Sequence, residues 1–163
     1  MKSRVTRSLC PALVIQLGLV LASASVVADE PVAKCKVHVI HALHDDAKAP
    51  PDARLDKLRP YLSTAFASYK HFQLLELKEL ELKPNSTGKL ALPNGKTASL
   101  TYVEHLMHNG KHRVRMRLEI EASDAQSKLL NTTFTLDEGG VVLNAGQRHG
   151  AGMLVLGVSC ETH

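Results

Sequence analysis

From His112 to Glu121 the chain alternates without a break. Val114, Met116, Leu118 and Ile120 are apolar, while Arg113, Arg115, Arg117, Glu119 and Glu121 are charged. Successive side chains of a β-strand point to opposite faces, so this stretch reads as a strand with its even positions on a core and its odd ones in solvent. A helix would scatter the same residues around its axis. Such a strand needs antiparallel neighbours and an apolar cover for its even face, and both have to come from the rest of the chain.

Turn chemistry supplies the neighbours. Pro93-Asn94-Gly95-Lys96 and His108-Asn109-Gly110-Lys111 each carry the Asn-Gly pair that favours tight hairpins. At the second of these, a two-residue loop pairs Met116 with Val103 and Leu118 with Thr101. A three-residue loop with a Gly bulge pairs Met116 with Tyr102, Leu118 with Leu100 and Ile120 with Ala98. The second register joins apolar to apolar and is the expected one. Leu130, Thr132, Phe134 and Leu136 form the next strand, then a turn at Glu138-Gly139-Gly140, a short strand from Val141 to Ala145, a loop from Gly146 to Gly152 and a last strand from Met153 to Cys160.

Upstream, Cys35 to His41 alternates as a strand with Cys35, Val37 and Val39 on one face. Phe72 to Leu82 changes leucine parity twice, which fits a bulged strand or a helix. Between them, Asp52 is placed to cap a helix whose Leu55, Leu58, Leu62 and Phe66 share one side, and Pro60 either kinks it or divides it into two pieces. One amphipathic helical segment is expected within 52–67. The fold class is α+β: a mostly antiparallel β-sheet meander, curved, with this helical segment packed on it.

The amino terminus reads as an export signal. Lys2, Arg4 and Arg7 precede the mostly apolar run Ala12 to Ala22, and Val26-Val27-Ala28 places small residues before Asp29-Glu30. Residues 1–28 are therefore expected to be cleaved, leaving a mature chain that starts at Asp29. Residues 29–34 form a flexible lead and 35–163 a single domain. Cys10 lies ahead of the apolar run, which argues against lipidation, and no later stretch is long and apolar enough to anchor the cleaved protein in a membrane. The chain holds 20 Lys+Arg against 16 Asp+Glu. The signal takes three of the bases and no acid, so the mature domain is close to neutral and lacks the basic surplus of a nucleic-acid binder. Only Cys35 and Cys160 remain after cleavage. In an oxidising compartment they are expected to form one bridge, which makes the first and last strands neighbours.

The most suggestive segment for binding is Gly146-Gln147-Arg148-His149-Gly150-Ala151-Gly152. Its glycines allow backbone N–H groups to converge, and Gly146, Arg148, His149 and Gly150 are the candidate anion-binding residues. It matches neither phosphate-loop nor dinucleotide fingerprints. Histidines cluster at 38, 41 and 44 and at 105, 108 and 112. In a strand His38 and His41 point apart, and in the expected register so do His105 and His112, so no metal site is assigned. Arg113, Arg115 and Arg117 form a row that reads as a solvated face. No catalytic signature appears, and neither an enzyme nor a cofactor is expected.

Leu58-Arg59-Pro60-Tyr61-Leu62, Phe66-Ala67-Ser68-Tyr69 with Leu74-Leu75, Leu92-Pro93-Asn94-Gly95, and Gly139-Gly140 with Gly146 and Gly152-Met153-Leu154-Val155-Leu156 form one layout. Over most of residues 35–160 it resembles small exported bacterial proteins with no assigned activity. The resemblance implies a location in the bacterial envelope and no mechanism. The expected function is that of a periplasmic or secreted, non-enzymatic protein-interaction or assembly domain, meeting another envelope protein through a sheet edge or the 146–152 segment. The alternative is a periplasmic module for a small ligand, an anion or a metal.

Overall fold

Alternation along the strands decides the architecture. In the computed structural model, which describes residues 31–45, 50–123 and 127–162, there are eight strands among the described residues. They are β1 (Ala33–Leu43), β2 (His71–Leu82), β3 (Thr87–Ala91), β4 (Thr97–His108), β5 (Lys111–Glu121), β6 (Lys128–Asp137), β7 (Val141–His149) and β8 (Gly152–Thr162). They form two four-stranded sheets, the first in the order β2-β1-β8-β7 and the second β3-β4-β5-β6. Every neighbouring pair is antiparallel. The chain starts in the first sheet, runs a four-strand meander through the second, and returns to place β8 beside β1.

The inner faces share one core. Cys35, Val37 and Val39 of β1 and Leu154, Leu156 and Val158 of β8 meet Leu100 and Tyr102 of β4, Val114, Met116, Leu118 and Ile120 of β5, and Leu136 of β6. This corrects the expected single curved sheet on a helix. The even face of β5 and its partners is too large for the one short helix, and the inner face of β1 and β8 covers it instead. The fold is more β-rich than α+β: two antiparallel sheets with little helix.

The helical segment lies on the outer face of the first sheet. Pro60 divides it: a 3-10 turn at Ala53–Leu55 is followed by α1 (Arg59–Ala65), with the proline in its first turn, where its missing N–H is harmless. Leu55, Leu58 and Leu62 pack on Ile40, Ala42, Phe72, Leu74 and Val155. β1 and β8 are thus buried on both sides at this level. Asp52 caps the turn by accepting from the Arg54 N–H at 3.1 Å, and ties it to β2 by accepting from the Leu74 N–H at 3.1 Å.

Two bulges allow strands to serve two faces. In β2 the register shifts opposite Val39/Ile40, so that Phe72 and Leu74 face the helix while Leu80 and Leu82 pair with inward positions. This is the bulged strand that the leucine parity allowed. In β4 the shift falls between Tyr102 and Glu104. The expected pairings of Met116 with Tyr102, Leu118 with Leu100 and Ile120 with Ala98 are present. The expected loop is not: Asn109 and Gly110, with φ of 50° and 74°, form a two-residue turn with His108 opposite Lys111. An Asn-Gly turn of this kind needs both residues at positive φ, and the bulge at Val103 restores the apolar register further along.

Cys35 and Cys160 stand directly opposite each other in the β1–β8 pair and are joined, with Cα atoms 4.1 Å apart. β1 begins at Ala33, two residues inside the segment expected to be a flexible lead. The expected signal peptide, residues 1–28, lies outside the described residues. Among the described residues no helix is long and apolar enough to cross a membrane.

Candidate functional site

The outer face of the first sheet changes character along its length. On β1 the same-parity residues run Lys34, Lys36, His38, Ile40, Ala42. On β8 they run Glu161, Ser159, Gly157, Val155, Met153, and on β2 Glu81, Glu79, Leu77, Leu74, Phe72. The rows turn from polar to apolar within one residue pair of each other, β2 at Leu77 opposite His38 and β1 at Ile40, and the helical segment covers the apolar part beyond Leu77. Where the cover ends there is an open cleft of about 660 Å³. The sheet forms its floor, and Arg54, Lys57, Leu58 and Tyr61 form its wall on the helical side.

The cleft mixes exposed apolar surface with charge. Tyr61 is 55% exposed and Leu77 45%. Lys34 and Lys36 approach Glu81 and Glu79 at 3.8 and 3.7 Å, across the β1–β2 pair. These are long, solvent-screened contacts of little energetic consequence. Arg54 is held by Asp52 at 2.7 Å, while Lys57 has no ion-pair partner among the described residues. The bonds from Arg54 hold the Asp52 carboxyl well below the usual carboxylate range, with the Leu74 and Arg54 N–H groups assisting and partial burial opposing. His38 sits on the floor, where burial pushes its pKa below the ordinary imidazole value. The Gly157 backbone opposes that shift without a well-formed hydrogen bond, and Lys36 adds to it. The buried Nδ1 of His38 has no hydrogen-bond partner in the protein. The Lys57 ammonium, at the cleft wall and without an ion-pair partner among the described residues, is the group suited to hold a polar group of a ligand.

The segment 146–152 is not a loop. β7 continues to His149, Gly150 and Ala151 make the turn, and β8 starts at Gly152. Gly146, at φ 120°, is the extra residue where the β7–β8 register shifts between Ala145 and Gln147. Strand pairing continues with Gln147 opposite Leu154, Arg148 opposite Met153 and His149 opposite Gly152. The Arg148 carbonyl accepts from Asn94 Nδ2 at 3.3 Å, Gln147 Oε1 from Lys96 Nζ at 2.6 Å, and the His149 carbonyl meets His41 Nε2 at 3.0 Å. The four candidate residues therefore lie along a bulged strand and its turn. Arg148 is exposed and Gly150 closes the turn with φ of 53°.

The histidines divide. His38 lies on the outer face of β1 and His41 toward His149, as alternation requires, and His44 stacks on Tyr69 with ring centroids 4.0 Å apart. His105 and His112 are a correction: they share a face, and His105 Nε2 lies 2.9 Å from His112 Nδ1. The two-residue turn sets His105 opposite Val114 and Met107 opposite His112, and directly opposed residues point the same way. The arginine row is a charged face with cross-strand partners, Arg113 with Asp137 at 2.5 Å and Arg115 with Glu104. No group of three or more His, Cys, Asp or Glu among the described residues is arranged to hold a metal ion.

Fold and surface together define a disulfide-closed β-sandwich with a half-covered outer sheet. No family model, curated protein or solved structure matches the chain. Sequence reasoning missed the cleft because Lys34, Lys36, Glu79 and Glu81 alternate like any solvated face. The signal was the turn from polar to apolar in three separate strands within one residue pair of each other, visible only once their registers are known.

Proposed function

We propose that the protein is a non-enzymatic binding domain that works outside the cytoplasm and holds a segment of another envelope protein in this cleft. The observation that carries the reading is the abrupt end of the helical cover, which leaves Tyr61 and Leu77 exposed around one opening. The Cys35–Cys160 bridge supports an oxidising compartment, and the amino-terminal pattern supports export. The segment it takes presents an apolar side chain to Tyr61 and Leu77 and an acidic group to Lys57. Contacts of this sort, an aromatic anchor beside a cation that still lacks a partner, favour a specific occupant over general stickiness.

A photo-crosslinking residue at Leu77 tests it in cells that export the protein. The expected result is one discrete envelope adduct, absent when the same residue replaces Arg117 on the solvent face of β5 and lost in Lys57→Glu. The adducted protein, once purified, is expected to bind the wild-type domain and not the Lys57→Glu variant. Equal labelling from Leu77 and Arg117, or no adduct from Leu77, would overturn the reading.

A further inference from the structure

Past the end of the sandwich interior, the β4–β5 hairpin carries three side chains on the face that further along forms the core: His105, Met107 and His112. We propose that these three residues form a copper site, with His105 Nε2, His112 Nδ1 and the Met107 thioether as ligands.

The imidazoles are already close to ligating geometry. Their facing nitrogens are 2.9 Å apart, the ring centroids 5.0 Å apart and the ring planes tilted by 31°. Two imidazole nitrogens bound at about 2.0–2.1 Å in a tetrahedral site sit roughly 3.3 Å from each other. Opening the pair by a few tenths of an ångström and turning both rings until their lone pairs meet at one point replaces the proton between them, released to solvent, with a metal ion. Met107 stands directly across the hairpin from His112 and is 58% exposed.

Register, not composition, assembles the set. Tyr102 and Leu100 share the core face at even positions, and the bulge at Val103 moves the odd positions His105 and Met107 onto it. Without that bulge the apolar register of β4 and the convergence of the two histidines would be incompatible. The charged neighbours Arg113 and Glu104 fall on the opposite face, so no cation of the strand pair points at the site. With both mature cysteines joined to each other, thioether and imidazole are the softest ligands the domain has to offer. Two imidazoles and a thioether suit copper, Cu(I) above all, better than zinc, for which a thioether is a poor ligand and four donors are usual. This site is separate from the cleft and does not depend on the function proposed for it.

Titration of the purified protein with Cu(I) against a chromogenic chelator tests the assignment. Ascorbate serves as the reductant because it leaves the disulfide intact. One Cu(I) per chain is expected. His105→Ala and His112→Ala are each expected to weaken binding by about tenfold or more, while Met107→Leu weakens Cu(I) and leaves Zn(II) binding unchanged. His108→Ala, next to the turn, serves as the control and retains full affinity. Nuclear magnetic resonance of the wild-type protein reads the same site without a substitution, because Cu(I) is diamagnetic. The His105 and His112 ring signals and the Met107 methyl are expected to shift together at one equivalent. Absence of stoichiometric binding, undiminished affinity in the doubly substituted His105→Ala/His112→Ala protein, or a Met107 methyl that does not move would overturn the proposal.

Discussion

The β1–β8 pair and the β4–β5 pair are both central in their sheets, yet they are buried in different ways. β5 obeys strict alternation, with Val114, Met116, Leu118 and Ile120 buried and its arginines on the solvent face. β1 and β8 alternate only at their disulfide end. Toward the other end both faces are apolar, because Ile40, Ala42 and Val155 lie under the helical segment while Val39, Leu154 and Leu156 face the second sheet. A strand covered on one side announces its faces in sequence. A strand covered on both announces only that it is buried, as the run Met153-Leu154-Val155-Leu156 does. The surfaces differ accordingly. The second sheet offers solvent a polar face, the charged row of β5 flanked by Thr101 of β4 and by Asn131, Thr133 and Thr135 of β6, and the first offers a boundary with a cleft at it.

The largest expected effect tests the doubly buried pair. Replacing Cys35 and Cys160 by Ala opens a link that spans 125 residues, and the chain-entropy account gives about 4–5 kcal/mol of lost stability. Urea denaturation reads it, and thiol labelling of the denatured, unreduced wild-type protein is expected to find neither cysteine free. Leu62→Ala comes next. It removes a fully buried side chain of α1 and is expected to cost about 2–5 kcal/mol. Hydrogen exchange is expected to rise first at Ile40, Ala42 and Val155, leaving β4 and β5 protected. Equal loss in both sheets would show that the cover and the sandwich are one cooperative unit.

Two titrating groups on the first sheet's outer side sharpen the contrast further. Asp52 has a depressed folded pKa, so its contribution is present above the ordinary carboxylate range and is lost as pH falls through the folded value. Asp52→Ala is expected to destabilise by about 1 kcal/mol at neutral pH, with the difference from wild type shrinking below about pH 4. His38 has a depressed pKa of the opposite charge type. The unfolded chain takes up its proton first, so stability is expected to fall as pH drops below the ordinary value of 6.5, and His38→Gln is expected to remove that slope. Thermal melting across about pH 2–8 checks both.

The smallest effects belong to exposed positions. Arg117→Ala, on the solvent face of β5, is expected to change stability by less than about 0.5 kcal/mol. Arg148→Ala is expected to leave basal stability unchanged and to abolish stabilisation by phosphate. Ligand linkage at roughly 100 Kd would give the wild type about 2.7 kcal/mol. No phosphate-dependent melting shift in the wild type would return Gly146, Arg148, His149 and Gly150 to a purely structural role.

The sequence by itself determined the strands that alternate, the Asn-Gly turns, an interruption of the helical segment at Pro60, whether kink or division, and the pairing of Cys35 with Cys160. Each follows from rules that act within a few residues or, for the cysteines, from Cys35 and Cys160 being the two that lie beyond the expected export signal. It also led to the right pairings in β4–β5, though through the wrong turn, since a bulge at Val103 and a bulge at Gly110 give the same register beyond Tyr102. Only the tertiary structure decided that a second sheet, and not the helix, covers the even face of β5. It also decided that 146–149 continues a strand, that the apolar parts of three strands line up beside one another and leave the cleft at their end, and that His105 meets His112. Those outcomes depend on register between paired strands, whether they adjoin in a hairpin or lie far apart in the chain. A single inserted residue in either partner flips every side chain beyond it, and no local pattern says where it falls.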